Sequence, residues 1–282
     1  LTEPRVETLV IDPSDPDIVY AGTFGNGVFK TYDGGASWTA ARGGLPPLSL
    51  IRSLLVNPFN SSVLYAAVDG VGVFKTQDAA SSWKSFNQGL TGKSVRALAM
   101  DPVIGDILYA ATDGSGVFKS VDGGETWQGD GDGLSDLMID ALVVGPPSSG
   151  ILYAGSYGDG VFKSTDGGAI WSAVNWGLPA FPVVRALLFD TSGSSILYAA
   201  LRRGLFQSLD GGVNWELLEL DRLGPGPSNF LKRSLHTLAV AGSDPVRLFA
   251  GTSMGVIELT GEVVPQIYKP GKQDVHEGAR RD

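Results

Sequence analysis

Short apolar runs alternate with tight turns rich in Gly, Asp and Ser along most of the chain. Between residues 95 and 130 the runs Val95–Met100, Ile107–Ala111 and Gly116–Ser120 are followed by a fourth that starts at Trp127. Runs of about four to eight residues bounded by turn residues are typical of β-strands and too short for most helices. This segment therefore predicts a unit of four strands, a to d.

The unit recurs at a nearly constant interval. The five Trp residues that begin strand d, at positions 38, 83, 127, 171 and 215, are separated by 45, 44, 44 and 44 residues. Other columns keep this period: Tyr20 and its equivalents in strand b, Phe29 and its equivalents in strand c, and Leu9 and its equivalents in strand a. Leu238, Phe249 and Ile257 mark a sixth copy. Such a period indicates a repeat architecture.

A single sheet of four short strands is too thin to bury both faces, so it must stack on its neighbours. Radial stacking predicts an all-β fold, a single β-propeller of six four-stranded blades in residues 1–268, with seven blades as the alternative. The fourth strand of blade six is expected from Val263–Tyr268 or from Leu1–Arg5. The polar stretch 269–282 is predicted to be a flexible tail.

The turn between strands c and d has a recurring sequence, exemplified by Ser120-Val-Asp122-Gly-Gly-Glu-Thr-Trp127. Its pattern resembles the Asp-box or BNR repeat of sialidases, sortilin-type receptors, xyloglucanase-type glycoside hydrolases and the photosystem II stability/assembly factor group. The resemblance implies a propeller and is shared by enzymes and non-enzymes. By similarity to the assembly-factor group, which engages a partner protein through an arginine-rich patch, Arg52, Arg96 and Arg185 are the matching candidates.

We expect these Asp boxes to be structural. The Asp accepts backbone N–H groups, the Gly residues allow positive φ and the Trp covers the turn. The second box has Ala79 and Ala80 in place of glycine, which predicts a strained turn or another turn type. The Lys column beginning at Lys30 is expected on a solvated outer surface. The box residues are Asp33, Trp38, Asp78, Trp83, Asp122, Trp127, Asp166, Trp171, Asp210 and Trp215.

A ligand is expected at the opposite face, where the d-to-a and b-to-c loops meet around the mouth of the axial channel. Two residues before the Leu column of strand a stand six polar side chains: Glu7, Arg52, Arg96, Asp140, Arg185 and His236. This ring predicts either a locally positive pocket for a carboxylate, phosphate, sulfate or acidic peptide, or a set of mutual ion pairs.

Two further sets of residues belong to the same face. The b-to-c loops vary at one column, which contains Phe24, Asp69, Asp113, Tyr157, Arg202 and Ser253. The loop after blade five is longer than its equivalents and includes Lys232 and Arg233. The predicted ligand-binding residues are Arg52, Arg96, Arg185, His236, Asp140, Glu7, Tyr157, Arg202, Lys232 and Arg233.

Composition narrows the classes of partner. The formal net charge of −9 argues against nucleic acid, whose phosphates require a basic surface. With no Cys, disulfides and thiolate metal sites are excluded, and neither a metal nor another cofactor is predicted. No apolar run is long enough to cross a bilayer, so no direct membrane insertion is expected. We expect a monomer in an extracytoplasmic compartment, periplasmic or secreted.

The sequence favours a non-catalytic binding or assembly propeller that recognises a protein or a carbohydrate at the channel mouth. The alternative is a glycoside-hydrolase-like enzyme of the sialidase or xyloglucanase type, or one propeller of such an enzyme. A glycosidase needs two carboxylates flanking one bond. Asp69, Asp113, Asp140, Asp159 and Glu7 provide carboxylates, but no pair is distinguished by spacing, and no catalytic residue is assigned.

Overall fold

A computed structural model describes residues 5–135, 137–189, 196–202, 204–218, 235–241, 247–252 and 255–259. Blades 1 and 2 contain β1 (Val6–Asp12), β2 (Asp15–Thr23), β3 (Val28–Thr31), β4 (Thr39–Ala40), β5 (Ile51–Asn57), β6 (Asn60–Val68), β7 (Gly72–Thr76) and β8 (Lys84–Ser85). Blades 3 and 4 contain β9 (Val95–Met100), β10 (Leu108–Thr112), β11 (Val117–Ser120), β12 (Gln128–Asp130), β13 (Ile139–Val144), β14 (Leu152–Ser156), β15 (Val161–Ser164) and β16 (Ser172–Ala173). Blades 5 and 6 contain β17 (Val184–Phe189), β18 (Leu197–Leu201), β19 (Gly204–Ser208), β20 (Glu216–Leu217), β21 (Leu235–Ala241), β22 (Arg247–Thr252) and β23 (Gly255–Leu259).

Each blade is an antiparallel sheet whose strands pair in chain order. Blades 1 to 5 have four strands and blade 6 has three in the described part of the chain. In blade 3 the three main strands agree with the predicted ones to within one residue. The predicted all-β propeller is therefore confirmed. The described residues include no helix that is long and apolar enough to span a membrane.

The predicted fourth strand of blade 6 was placed in two segments. Val263–Tyr268 and residues 1–4 lie outside the described residues, as does the proposed tail 269–282. Arg5 belongs to blade 1, because its carbonyl accepts the backbone N–H of Phe24. The fourth strand of blade 6, from Val263–Tyr268 or from Leu1–Arg5, stays a prediction.

The first strand of each blade lies innermost, since the first strands of successive blades contact one another from β1 through to β21. Apolar clusters fill the space between neighbouring blades. Between blades 2 and 3, for example, Tyr65 and Val73 of one sheet pack against Leu98, Phe118 and Trp127 of the next. We call the face that carries the box Trp, turned toward the preceding blade, the leading face. The opposite face, which carries the Tyr column, is the trailing face.

The Asp boxes have the predicted internal hydrogen bonds. In the first box, Thr31 Oγ1 and the Ser37 backbone N–H donate to Asp33 Oδ1 over 2.6 and 2.8 Å, and the Gly35 N–H donates to Thr31 Oγ1. The second box keeps this arrangement around Asp78, and both Ala79 and Ala80 have positive φ. The turn therefore keeps its type in the second box and is strained there.

The Trp residues of boxes two to five are buried, as predicted, whereas Trp38 of the first box is only half-buried. Trp83, Trp127 and Trp215 donate their indole N–H to a carbonyl of the preceding blade. Trp38 and Trp171 instead bond Gly35 and Gly168 of their own turns. In blades 2, 3 and 5 the box Trp thus ties a blade to its predecessor as well as covering its turn.

The Lys column does not lie on a solvated surface, and that prediction is wrong. Lys75 Nζ donates over 2.8 Å to the carbonyl of Gly123 in the box of the next blade, which also accepts the hydroxyl of Tyr65. Lys119 and Lys163 bond Gly167 and Gly211 in the same way, and Lys30 bonds Ala79. We call this contact the Lys clamp. Stem burial and a carbonyl acceptor explain why an ammonium tolerates an interblade position.

Candidate functional site

The two loop sets of the channel mouth are joined by a repeated backbone hydrogen bond. The N–H of the variable b-to-c residue donates to the carbonyl found two residues before the polar position of strand a. The donors are Phe24, Asp69, Asp113, Tyr157 and Arg202, and the acceptors are Arg5, Leu50, Ser94, Met138 and Val183. The variable side chain of each blade is therefore held beside the polar side chain of the innermost strand.

The Asp boxes lie on the other side of the blades. In blades 1 to 4 the residue after the box Asp donates its N–H to a carbonyl in the a-to-b turn or near the start of strand b, as Gly123 does to Asp106. The predicted separation of the boxes from the channel mouth is thus present in these blades.

Ion pairs connect the mouth residues within blades and between them. Within blade 2, Arg52 Nη2 lies 2.9 Å from Asp69 Oδ2, and across to blade 1 its Nη1 lies 3.4 Å from Glu7. Arg96 pairs with Asp113 in blade 3. Arg185 of blade 5 lies 3.3 Å from Asp140 and over the ring of Tyr157, both in blade 4. We call these eight side chains and Ser94 the mouth network.

The mouth network corresponds to the ion-paired alternative of the two that the sequence left open. The three arginines of the network and Arg5, which lies 2.6 Å from Glu7, face four carboxylates, so these residues leave no excess of positive charge. Two of the carboxylates, Asp69 and Asp113, come from the variable loop column and not from strand a, which is why the strand-a pattern alone overstated the positive charge. The Nε atoms of Arg96 and Arg185 are buried without a protein partner.

Two carboxyl groups of the network have shifted pKa values. Burial opposes ionisation of Asp69, but hydrogen bonds from Ser94 Oγ (2.6 Å) and Arg52 outweigh it and hold the pKa below its usual value. Burial raises the pKa of Asp140, and the positive charge of Arg185 only partly opposes it.

The remaining predicted residues lie around the network or beyond the described residues. Arg202 and His236 are exposed, and the structure does not join either of them to the mouth network by a side-chain hydrogen bond or ion pair. Lys232, Arg233 and Ser253 lie outside the described residues. No group of three or more His, Cys, Asp or Glu side chains suited to a metal ion occurs among the residues that are described.

The d-to-a loops that lead into strand-a positions of the mouth network contain exposed apolar side chains, and the sequence analysis missed them. Leu48 and Phe181 occupy equivalent positions in two d-to-a loops, four residues before Arg52 and Arg185, and are 85% and 87% exposed. Both have positive φ, an unfavourable conformation for residues other than glycine. Leu137 and Met138 are also exposed in the corresponding loop of blade 4. Blade 3 has Gly92 at the equivalent position before Arg96, so the spacing from the Arg column gives no repeated signal in the sequence.

The five four-stranded sheets and the radial arrangement of their innermost strands define a β-propeller. No protein-family model matches the chain, and no curated protein matches it. Among solved structures, it is similar to the GH74 xyloglucanase from Xanthomonas campestris, with a TM-score of 0.72 and 19% identity over 90% of this chain and 44% of that one. An ancestral GH74 enzyme gives a TM-score of 0.72 at 20% identity.

Other similar structures bear names that do not describe enzymes. YCF48 bound to D1 peptide has a TM-score of 0.65 at 19% identity, with 88% of this chain and 77% of that one covered. PorZ, a bacterial surface component of the type-IX secretion system of Porphyromonas gingivalis, has a TM-score of 0.66 at 19% identity over 90% of this chain and 38% of that one. The chain spans only 36% and 44% of the two GH74 proteins. These likenesses show the propeller fold, which is shared by enzymes and by assembly or secretion proteins.

Proposed function

We propose that the chain is a non-catalytic binding propeller and that it recognises a segment of another protein at the channel mouth. The proposal is carried by two exposed apolar side chains, Leu48 and Phe181. They lie in loops that lead into Arg52 and Arg185 of the charged mouth network. Exposed apolar anchors next to charges of both signs match the composition of protein-recognition surfaces.

The strain at these two anchors supports the same function. A non-glycine residue with positive φ costs free energy, and such strain persists where a function requires it. Glycine would relieve it at no loss of buried surface, since both side chains are exposed. The presence of Leu and Phe at these strained, exposed positions therefore favours a role in contacting another molecule.

A glycan is the second candidate ligand. Tyr157 and Phe24 are half-exposed at the mouth, and aromatic faces of this kind stack on sugar rings. Leu48, Leu137 and Met138 are aliphatic and offer no such face, which is why a protein segment is preferred.

The enzyme alternative requires two carboxylates free to act on a glycosidic bond. Glu7, Asp69, Asp113 and Asp140 each pair with an arginine. Asp159 accepts a hydrogen bond from Ser135. Burial raises the pKa of Asp140, whereas hydrogen bonds lower that of Asp69. Carboxyl groups held by such contacts are suited to fixing the positions of neighbouring side chains and not to transferring a proton to a glycosidic bond.

The test uses a library of synthetic peptides that combine apolar and charged residues, with xyloglucan oligosaccharides and sialyllactose as glycan probes. Binding of a peptide is expected, and Phe181→Gly should weaken it about tenfold or more, as loss of a hot-spot side chain does. The melting temperature should stay constant or rise, because glycine relieves the positive φ. Val121→Gly, at an exposed apolar position within the third box and away from the channel mouth, is the matched control and should leave binding unchanged.

Equal binding by the Phe181 and Val121 variants would contradict the proposal. Glycan binding that depends on Tyr157 but not on Phe181 would favour the second candidate. Turnover of aryl glycosides that disappears in Asp140→Asn would establish the enzyme alternative instead.

A further inference from the structure

The two ends of the blade array expose apolar positions that are buried or half-buried at the described internal interfaces. On the leading face of blade 1, Leu9 and Ile11 are 60% and 58% exposed, whereas Leu54, the equivalent of Leu9 in blade 2, is 5% exposed. On the trailing face of blade 6, Val256 is 76% exposed, while its equivalents in the other five blades are at most 1% exposed. Terminal repeats of stacked arrays normally have a polar outer face. Open apolar ends therefore call for a partner.

The Lys clamp defines what that partner must carry. At four internal interfaces a Lys on the trailing face donates to a carbonyl in the box of the next blade. That carbonyl belongs to the residue directly after the box Asp. On blade 5, which precedes the blade that lacks a box, the Lys is replaced by Gln207. The clamp thus accompanies the box: a blade carries Lys where its successor has a box, and loses it where the successor has none.

Blade 1 has a complete box that requires such a clamp from its predecessor. The carbonyl equivalent to that of Gly123 belongs to Gly34, which is exposed. Trp38 is only half-buried, whereas the other four box Trp residues are buried. The leading face of blade 1 therefore resembles an internal interface whose preceding sheet is not among the described residues.

Blade 6 does not have the matching side chains. Phe249 replaces the Tyr that donates its hydroxyl, and Glu258, its cross-strand partner, replaces the Lys. Glu258 lies 3.3 Å from Arg247 on the same sheet. A carboxylate beside the Gly34 carbonyl would place two acceptors together. The donor that this face does carry, Arg247, already pairs with Glu258 and lies over the ring of Phe249. Blade 6 is thus a poor predecessor for blade 1, and so is the sixth blade of a second copy.

We propose that the leading face of blade 1, formed by Leu9, Ile11, Trp38 and the Gly34 carbonyl, docks a further four-stranded β-sheet of this repeat type that is not contained in residues 5–259. That sheet carries a cross-strand Tyr and Lys pair, as Tyr153 and Lys163 form in blade 4. Its Lys and Tyr donate to Gly34, and its apolar trailing face covers Leu9 and Ile11.

The experiment supplies such a sheet and asks whether blade 1 accepts it. A copy of residues 135–178 is joined directly before Leu1, which reproduces the spacing of blade 4 to blade 5 because Val184 and Val6 begin equivalent strands. Backbone hydrogen exchange in Val6–Asp12 is expected to slow about tenfold or more as the open face becomes an interior one. The melting temperature should rise by several degrees.

The matched control is the same fusion with Tyr153→Phe and Lys163→Glu in the added copy only, which gives it the side chains of blade 6. Its protection of Val6–Asp12 should be clearly smaller. Equal protection by both fusions, or none by either, would overturn the proposal.

Should the fusions fail to fold, the unfused chain gives a second test. Leu9→Ser should leave its melting temperature nearly unchanged while Leu54→Ser lowers it strongly, and a comparable loss from Leu9→Ser would show the face to be covered already.

The same measurements distinguish two other possible occupants of the leading face of blade 1. Faster exchange in Val6–Asp12 after deletion of residues 260–282 would assign the face to that segment. Self-association in sedimentation that Leu9→Ser abolishes would assign it to a second copy. Either result overturns the proposed sheet, and unchanged exchange with a monomeric chain supports it.

Discussion

A single Trp per box contributes differently according to the blade that precedes it. Trp127 is buried and donates to Phe86 of blade 2, so Trp127→Ala removes a large core side chain and an interblade hydrogen bond. A loss of about 3–5 kcal/mol in the free energy of unfolding is expected. Trp38→Ala should cost clearly less, because Trp38 is half-buried and bonds its own turn. Urea denaturation of the two variants checks both values. A loss below about 1 kcal/mol at Trp127 would contradict interblade packing.

The box carboxylates also have a defined response to acid. Hydrogen bonds from Ser37 and Thr31 lower the pKa of Asp33 to about 2, and those from Ser82 and Thr76 lower that of Asp78 to about 2. Since the folded pKa lies below the ordinary Asp value of 3.8, both boxes stabilise the fold above that pH and lose this contribution as pH falls through about 2.

NMR titration of the carboxyl carbons should place both midpoints near 2. Ser37→Ala removes the largest cause of the shift in the first box and should raise the midpoint of Asp33 while leaving that of Asp78 in place. Midpoints near the ordinary Asp value in the unmodified chain would contradict the hydrogen-bonded geometry.

At the scale of the element, the clamp links one sheet to the next. Lys75 is buried, and it shares the Gly123 carbonyl with the Tyr65 hydroxyl. Lys75→Met keeps the apolar stem and removes the charged donor. The expected loss is about 1–2 kcal/mol, typical of a hydrogen bond to a charged group. Lys84→Met, at an exposed position in β8, is the control. Thermal unfolding compares the melting temperatures of the two variants, and equal values would rule out the clamp.

The second box contains strain that a single substitution can relieve. Ala79 has a φ of 55°, so Ala79→Gly should raise the free energy of unfolding by about 0.5–1 kcal/mol once the greater entropy of unfolded glycine is subtracted. Ala36→Gly, at a box position without positive φ, should lower it instead. Calorimetry of both variants tests this. Destabilisation by both would mean that the second turn is relaxed.

Strand identity and box geometry could be predicted because both depend on local sequence. Alternation marks strands such as Val95–Met100, and Asp122 binds groups within four residues of itself. The Lys column was misplaced for the opposite reason. Its acceptors lie 48 or 49 residues away in the next blade, and a charged side chain at a regular spacing gives no sign of such an acceptor.

At the scale of the whole molecule, repeat counting predicted the propeller but not the charge balance of the mouth. Arg52 and Asp69 are 17 residues apart and meet only because two loops share a backbone hydrogen bond. A tally by columns treated them as separate sets. The apolar anchors Leu48 and Phe181 were missed since their display depends on loop conformation, which strand periodicity does not determine.

The clamp also limits how the gene can gain or lose repeats. Deleting one repeat between blades 2 and 4 would bring Lys75 against the box of blade 4, and the join would have a donor and an acceptor. Deleting blade 5 would bring Lys163 against a blade with no box, leaving an ammonium enclosed without its carbonyl. Loss of a repeat is thus expected to leave a complete clamp at some interfaces and a buried, unpaired Lys at others. The order of the blades therefore matters for stability.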